Sequence, residues 1–357
     1  MKRGRLSHLA DGVLALLFVC VILCSRSPVL GEWYSRNLYP PISLALSFVS
    51  AALPISLDEI FVIGASIAMI AALIVAIVKH KGWKKILLGA VRCIVLIYVW
   101  FYFGWGMNYF RYSIYQRAGV KRAVYDESQF KAFLGDYTER LNETYLEAVD
   151  FEMSYLESVD LDMSYLEAFV KTGYEELDKT YGLTKARGFQ HPKRSVCNGL
   201  YSSVGVLGYM GPFFCESHLN HDLLPAQLPF TYAHELSHLL SVSNEAEANW
   251  WAYKVCTSST DAAIRYCGYY GIFGYVVKNA RRLLSKDDYK SWVATVRDEI
   301  KEDFMRQQEY WHAKYSPTIG EIQDWVYDLF LKGNKIKTGR QNYAEVVGII
   351  MSMKDAD

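Results

Sequence analysis

Neither sign of charge is in excess in this 357-residue chain, where 38 Lys and Arg face 38 Asp and Glu. That balance removes the bulk positive field by which proteins attract nucleic acid, so no nucleic-acid partner is expected. No C-x-x-C pair occurs among the 7 cysteines, which argues against a structural zinc site built on thiolates. No A-x-A site cleanly follows the first apolar run, and Leu23 is too large to precede a lipoprotein-type Cys24. The N-terminal segment therefore reads as a retained anchor rather than a cleaved signal peptide. Histidine is scarce, with 8 residues, so two of them at helical spacing stand out.

Apolar side chains make up 52% of the chain and aromatic ones 15%, high for a soluble protein, and the excess sits in the first third. Three membrane spans are expected, at about residues 9–25, 60–78 and 86–104. Residues 42–53 are apolar but lie between Pro40, Pro41 and Pro54, too short to cross, and are expected at the interface or re-entrant. Arg92, near the basic end of the third span, is expected to snorkel to the headgroups. Lys2, Arg3 and Arg5 precede the first span, and Lys79, Lys81, Lys84 and Lys85 fill the loop between the second and third. The positive-inside rule then puts the N-terminus in the cytoplasm and everything after Trp105 outside. Trp100, Tyr102, Trp105 and Tyr109 form the expected aromatic belt at that exit. The reading is a multi-pass cell-membrane protein, with a membrane domain over 1–110 and an extracytoplasmic domain over 111–357.

The chemistry concentrates at His234, Glu235 and His238, an H-E-x-x-H motif. Two histidines four residues apart share one helix face and can reach one metal ion, while the intervening glutamate can bond a water held there. A chance match in a chain this poor in histidine has odds on the order of one per cent. Leu236, Leu239 and Leu240 make one side of the helix apolar, and histidines beside a buried face need partners. A catalytic zinc site wants a third protein ligand and an open fourth position. Glu245 and Glu247 are the candidates just beyond. Glu245 would sit in the first turn of a helix over 245–257 with Asn249 one turn on, while Glu247 points elsewhere, so only one acid can reach the metal.

Residues 126–181 read as an amphipathic acidic helix containing a tandem repeat, Tyr145-Leu-Glu-Ala-Val-Asp and Tyr155-Leu-Glu-Ser-Val-Asp, with Tyr165-Leu-Glu following. Its carboxylates are expected on a solvated face. Asn142 heads a match to a glycosylation acceptor, of consequence only in a eukaryotic secretory setting. Over 199–217, Tyr201 to Tyr209 suggests a strand, Met210-Gly-Pro212 a turn and Phe213 to Glu216 a second strand. Such an edge could pair with an extended peptide. His218 and His221 follow, loop histidines by default. Cys197, Cys215, Cys256 and Cys267 allow two disulfides, the local choice being Cys197 with Cys215 and Cys256 with Cys267. Helices are expected over 229–241 and, towards the C-terminus, over roughly 261–284, 287–311, 318–332 and 341–353.

Glu245-Ala-Glu-Ala-Asn249 resembles the E-x-x-A-[DN] helix of gluzincin metallopeptidases. The resemblance implies Glu245 as third zinc ligand and Asn249 as its supporter, with Glu247 at a variable position. The gap from His238 to Glu245 is shorter than in most gluzincins. The whole chain is also similar to an uncharacterised bacterial family with three N-terminal spans and an outward-facing H-E-x-x-H domain. The matching stretches are Trp105 to Arg111, Glu216 to Asn220, Leu228 to Thr231, Arg265 with Tyr266, and Tyr327 to Lys332; the tandem repeat is a departure. The expectation is a mainly α protein, with three transmembrane helices before a mostly helical zincin-like domain carrying a small sheet. It would hydrolyse peptide bonds of a protein or peptide substrate outside the bilayer, with Zn²⁺ on His234, His238 and Glu245 and Glu235 as general base. Tyr266, Arg265 and His218 are the candidates for steadying the oxyanion. The alternatives are a membrane sensor that holds zinc without turnover and a scaffold in which the motif is incidental.

Overall fold

A helix satisfies its own backbone N–H and C=O groups, the arrangement a long apolar stretch needs if it is to lie in lipid, and the apolar first third is helical. In a computed structural model that describes residues 2–80, 82–124, 126–150, 163–177, 181–321 and 346–353, it forms helices α1 (Lys2–Cys24), α2 (Pro28–Trp33), α3 (Tyr39–Ala51), α4 (Leu57–Val78) and α5 (Trp83–Gly104). Helices α4 and α5 are each long and apolar enough to cross a membrane. The segments His8–Cys24 and Pro28–Ala51 meet at a 109° bend and count as one further span only if the bent pair is taken together. The first expected span therefore does not stand alone, and the short apolar stretch at 42–53 is the helix beyond its bend. The Arg92 guanidinium pairs with Asp11 of α1, at the start of the first apolar run, a partner that the sequence does not mark.

The rest is mostly helical. It comprises α6 (Ile114–Ala118), α7 (Glu127–Asp150), α8 (Met163–Leu177), α9 (Asn198–Ser203), α10 (Leu228–Leu239), α11 (Glu245–Thr257), α12 (Ala262–Leu283), α13 (Lys286–Val293), α14 (Asp298–Lys314) and α15 (Val346–Met353). The middle of the tandem repeat and residues 322–345, with the Tyr327 to Lys332 stretch, lie outside the described residues. Strands β1 (Lys193–Arg194), β2 (Gly208–Gly211) and β3 (Glu216–Leu219) form one sheet in the order β1-β3-β2, with β1 parallel and β2 antiparallel to β3.

Tyr201 lies in α9, a helical turn ended by Gly205 in the left-handed region (φ 71°), so the hairpin begins only at Gly208. The helix expected over 287–311 breaks between α13 and α14, where Asn142 donates to the Thr295 carbonyl and accepts from the Arg297 amide. That asparagine is a tertiary clamp rather than a free acceptor site. All seven cysteines are free. Cys215 packs beneath Tyr39 while Cys197 precedes α9, and Cys256 and Cys267 are buried as thiols, so neither expected disulfide forms.

The core centres on α10, α11 and α12, where Tyr232, Leu236, Leu239, Leu240 and Trp251 are fully buried. Helix α8 closes one side through Tyr174, whose hydroxyl donates to the Ala233 carbonyl at 2.7 Å, and α7 another through Tyr137 to the Tyr269 carbonyl at 2.7 Å. The start of α3 and the end of α5 are part of this body. Tyr39 donates to the Leu239 carbonyl at 2.8 Å and the Trp105 indole to the His238 carbonyl at 2.9 Å.

Candidate metal centre

Helix α10 begins with a proline in its first turn, where a missing N–H costs nothing, and buries Ala233, Leu236 and Leu239. His234 and His238 fall one turn apart on the remaining face. Just past the helix, Ser241 takes a left-handed conformation (φ 83°) at the place where glycine usually ends a helix, and Val242 N–H returns to the Ser237 carbonyl at 3.0 Å. Arg111 supports the strained serine, donating to its Oγ at 2.8 Å and to its carbonyl at 3.3 Å. The turn is tight enough that Asn244 caps α11 at once, accepting from the Glu247 amide at 2.9 Å, and Glu245 becomes the first residue of that helix. This is how so short a gap still brings a carboxylate to the two histidines.

The Nε2 atoms of His234 and His238 lie 3.1 Å apart, and Glu245 Oε2 lies 3.2 Å from the first and 3.5 Å from the second. Three ligands at about 2.1 Å from a tetrahedral zinc sit about 3.4 Å from each other, so the triangle has the dimensions of a single-ion site. Among the described residues, this is the group of histidine, cysteine and carboxylate side chains close enough to share an ion. The far ring nitrogens are also engaged. His234 Nδ1 bonds Asn249 Oδ1 at 2.9 Å, and His238 Nδ1 bonds the Val242 carbonyl at 2.8 Å. In the neutral imidazoles these acceptors favour the proton on Nδ1, which leaves Nε2 to present a lone pair to an ion.

The charges are strongly coupled. Burial alone would lift the Glu245 pKa, but the two imidazoles, by charge and hydrogen bond, pull it well below the carboxylate range. Burial depresses His238, yet Glu245 first, then Glu235 and the Val242 carbonyl, carry it up to about 9. Glu235 is buried and its Oε2 has no hydrogen-bond partner; burial pushes its carboxyl up to about 6 against the pull of the imidazoles. It abuts β2: a methyl group at Gly208 would lie 2.7 Å from Glu235 Cγ, so only glycine allows the strand to run this close.

Glu247 is no ligand, because it forms a buried pair with Arg117 and accepts from the Trp251 indole. The three expected oxyanion donors are elsewhere. Arg265 reaches the Ser259 carbonyl and Glu147, and Tyr266 is buried between Tyr145 and Tyr270. His218 stacks on Tyr209 with centroids 4.1 Å apart. Since adjacent strand residues face opposite sides, Tyr209 and His218 point away from Glu235 while Gly208 faces it. The phenols whose electrostatics do respond to Glu245 are Tyr109 and Tyr275, both raised by burial first, Tyr275 to about 12 with the Asn249 amide drawing it down. Tyr275 is nine residues beyond Tyr266 on α12, hence on the opposite face, a distinction periodicity could have drawn.

The profile of the family described as "Protein of unknown function (DUF3810)" matches residues 34–351. The chain belongs to this family. No curated protein and no solved structure matches it. The match runs from just before α3 to α15, so both long apolar helices and the candidate metal centre of this DUF3810 chain fall within the family's extent.

Proposed function

We propose that the protein is a membrane-anchored zinc peptidase of gluzincin type. The observation that carries the reading is the triangle of His234, His238 and Glu245 with the unpartnered carboxylate oxygen of Glu235 buried beside it. A purely structural site has no use for a buried base with an idle lone pair, because such a group costs stability. Zinc held there would supply Lewis-acid polarisation of the scissile carbonyl and acidify water. Glu235 takes a proton from the attacking water and returns it to the departing amine. Asn249 and the Val242 carbonyl fix the imidazoles, and Tyr275 or Tyr109 steadies the oxyanion. The basic residues flanking the spans support an N-terminus in the cytoplasm and a site outside.

The decisive experiment is Glu235→Gln in the full-length protein, assayed against a broad peptide library. Metal content should be unchanged and turnover should fall about 10²–10⁴-fold. Full turnover in the variant would remove the general-base role.

A further inference from the structure

Strand β2 connects two places that matter, the metal centre and the bilayer end of a membrane helix. At its start, Gly208 lies against Glu235. At its end, the space a side chain at Gly211 would need is filled by Asp58, in the first turn of α4. Tyr209, which shares a face with Gly211, donates to Glu59 of the same turn at 2.8 Å. Beyond Gly211 the chain turns over the apolar ends of both long helices. Phe213 and Phe214 donate their amides to Asp58 at 2.8 and 3.0 Å, Phe213 packs on Phe61 at 4.7 Å, and its carbonyl accepts from the Trp100 indole at 3.0 Å. Glu216 completes the anchor, accepting from Ser56, from the Leu57 and Asp58 amides and from Lys193.

The strand is thus pinned at both ends, and by its rise it covers about 10 Å between base and bilayer surface. Its other edge is exposed to a partner: among the described residues β2 pairs with β3 alone, and Gly208, Tyr209 and Met210 are partly exposed. An extended chain added there forms main-chain bonds with β2 and runs along the same line.

We infer that the substrate is the segment of another membrane-anchored polypeptide next to its own span, bound extended along β2 and cut about four residues from the bilayer surface. The inference rests on the peptidase reading and on α4 and α5 crossing the membrane. Water adds across one peptide bond, its oxygen to the acyl carbon and a proton to the amine nitrogen, so the anchored stub and the released chain separate without any further reactant. The strand works as a ruler, and sequence around the cut matters less than height above the lipid.

The test uses the full-length protein with zinc in liposomes of phosphatidylcholine and phosphatidylglycerol. Its substrates are random-sequence segments of about 20 residues, either fused to a single transmembrane helix or free in solution, with Gly-Ser spacers of increasing length inserted at the helix junction. Cuts mapped by mass spectrometry should cluster at one height from the helix and keep that height as the spacer grows, with Glu235→Gln abolishing them. Cuts that move outward with the inserted sequence, or match in pattern those on the free segments, overturn the ruler while leaving the peptidase reading intact. Absence of cutting on both anchored and free segments overturns both.

Discussion

His238 in the metal-free protein keeps a proton up to about pH 9, because Glu245 and its other acceptors outweigh the burial that would expel it. A metal ligand must be a neutral imidazole, so binding an ion displaces that proton. Zinc binding at pH 7 should therefore release close to one proton from this residue, and affinity should rise about tenfold per pH unit until about pH 9. Calorimetry in two buffers of different ionisation enthalpy measures the release directly; binding with no proton exchanged would show that the pair is not coupled as described. Among the phenols, Tyr275→Phe should lower kcat about 10²-fold with metal content unchanged, as loss of one oxyanion donor does. Tyr266→Phe should leave kcat untouched, and the reverse pattern would move the donor back to the aromatic cluster around Tyr145.

Elements are placed by contacts that sequence patterns do not record. His234 and His238 were readable because helical periodicity puts them on one face, and so was the shared face of Glu245 and Asn249 in the next helix; that Glu245 turns towards the histidines was what the gluzincin resemblance implied. Ser241 was not readable, since nothing in its identity marks a left-handed turn; Arg111, far away in the chain, makes that turn tolerable. The same holds for Glu216, which read as the end of a strand and is the carboxylate that ties β3 to the first turn of α4. Burial opposes its charge, but the nearby His218 ring, the Lys193 ammonium and the Leu57 and Asp58 amides hold its pKa at about 2. A carboxyl depressed on folding contributes stability above its unfolded value and loses it as pH falls towards the folded one. Glu216 should thus contribute about 3 kcal/mol near neutrality, lost between about pH 4.5 and 2. Thermal unfolding of Glu216→Gln in detergent should show a lower Tm at pH 7 and a difference from wild type that shrinks in acid. An unchanged Tm would mean the hairpin is anchored by its aromatic residues alone.

At the scale of the whole molecule, hydrogen bonds cross the boundary read at residue 110. The carbonyls of His238 and Leu239, at the end of the active helix, are satisfied by Trp105 and Tyr39, and Ser243 donates to the Asn108 carbonyl at 2.9 Å. Composition located the apolar helices but could not show that their ends support the metal centre. Glu32, between α1 and the bent-back α3, pairs with Arg111 beside the same turn. The account is therefore tested on the full-length protein, by counting zinc per chain after purification and metal dialysis. One equivalent is predicted for wild type and for Glu235→Gln, and none for His238→Ala or Glu245→Ala. A wild-type chain that holds no zinc, or a Glu245→Ala chain that holds it as tightly as wild type, would contradict the centre described here.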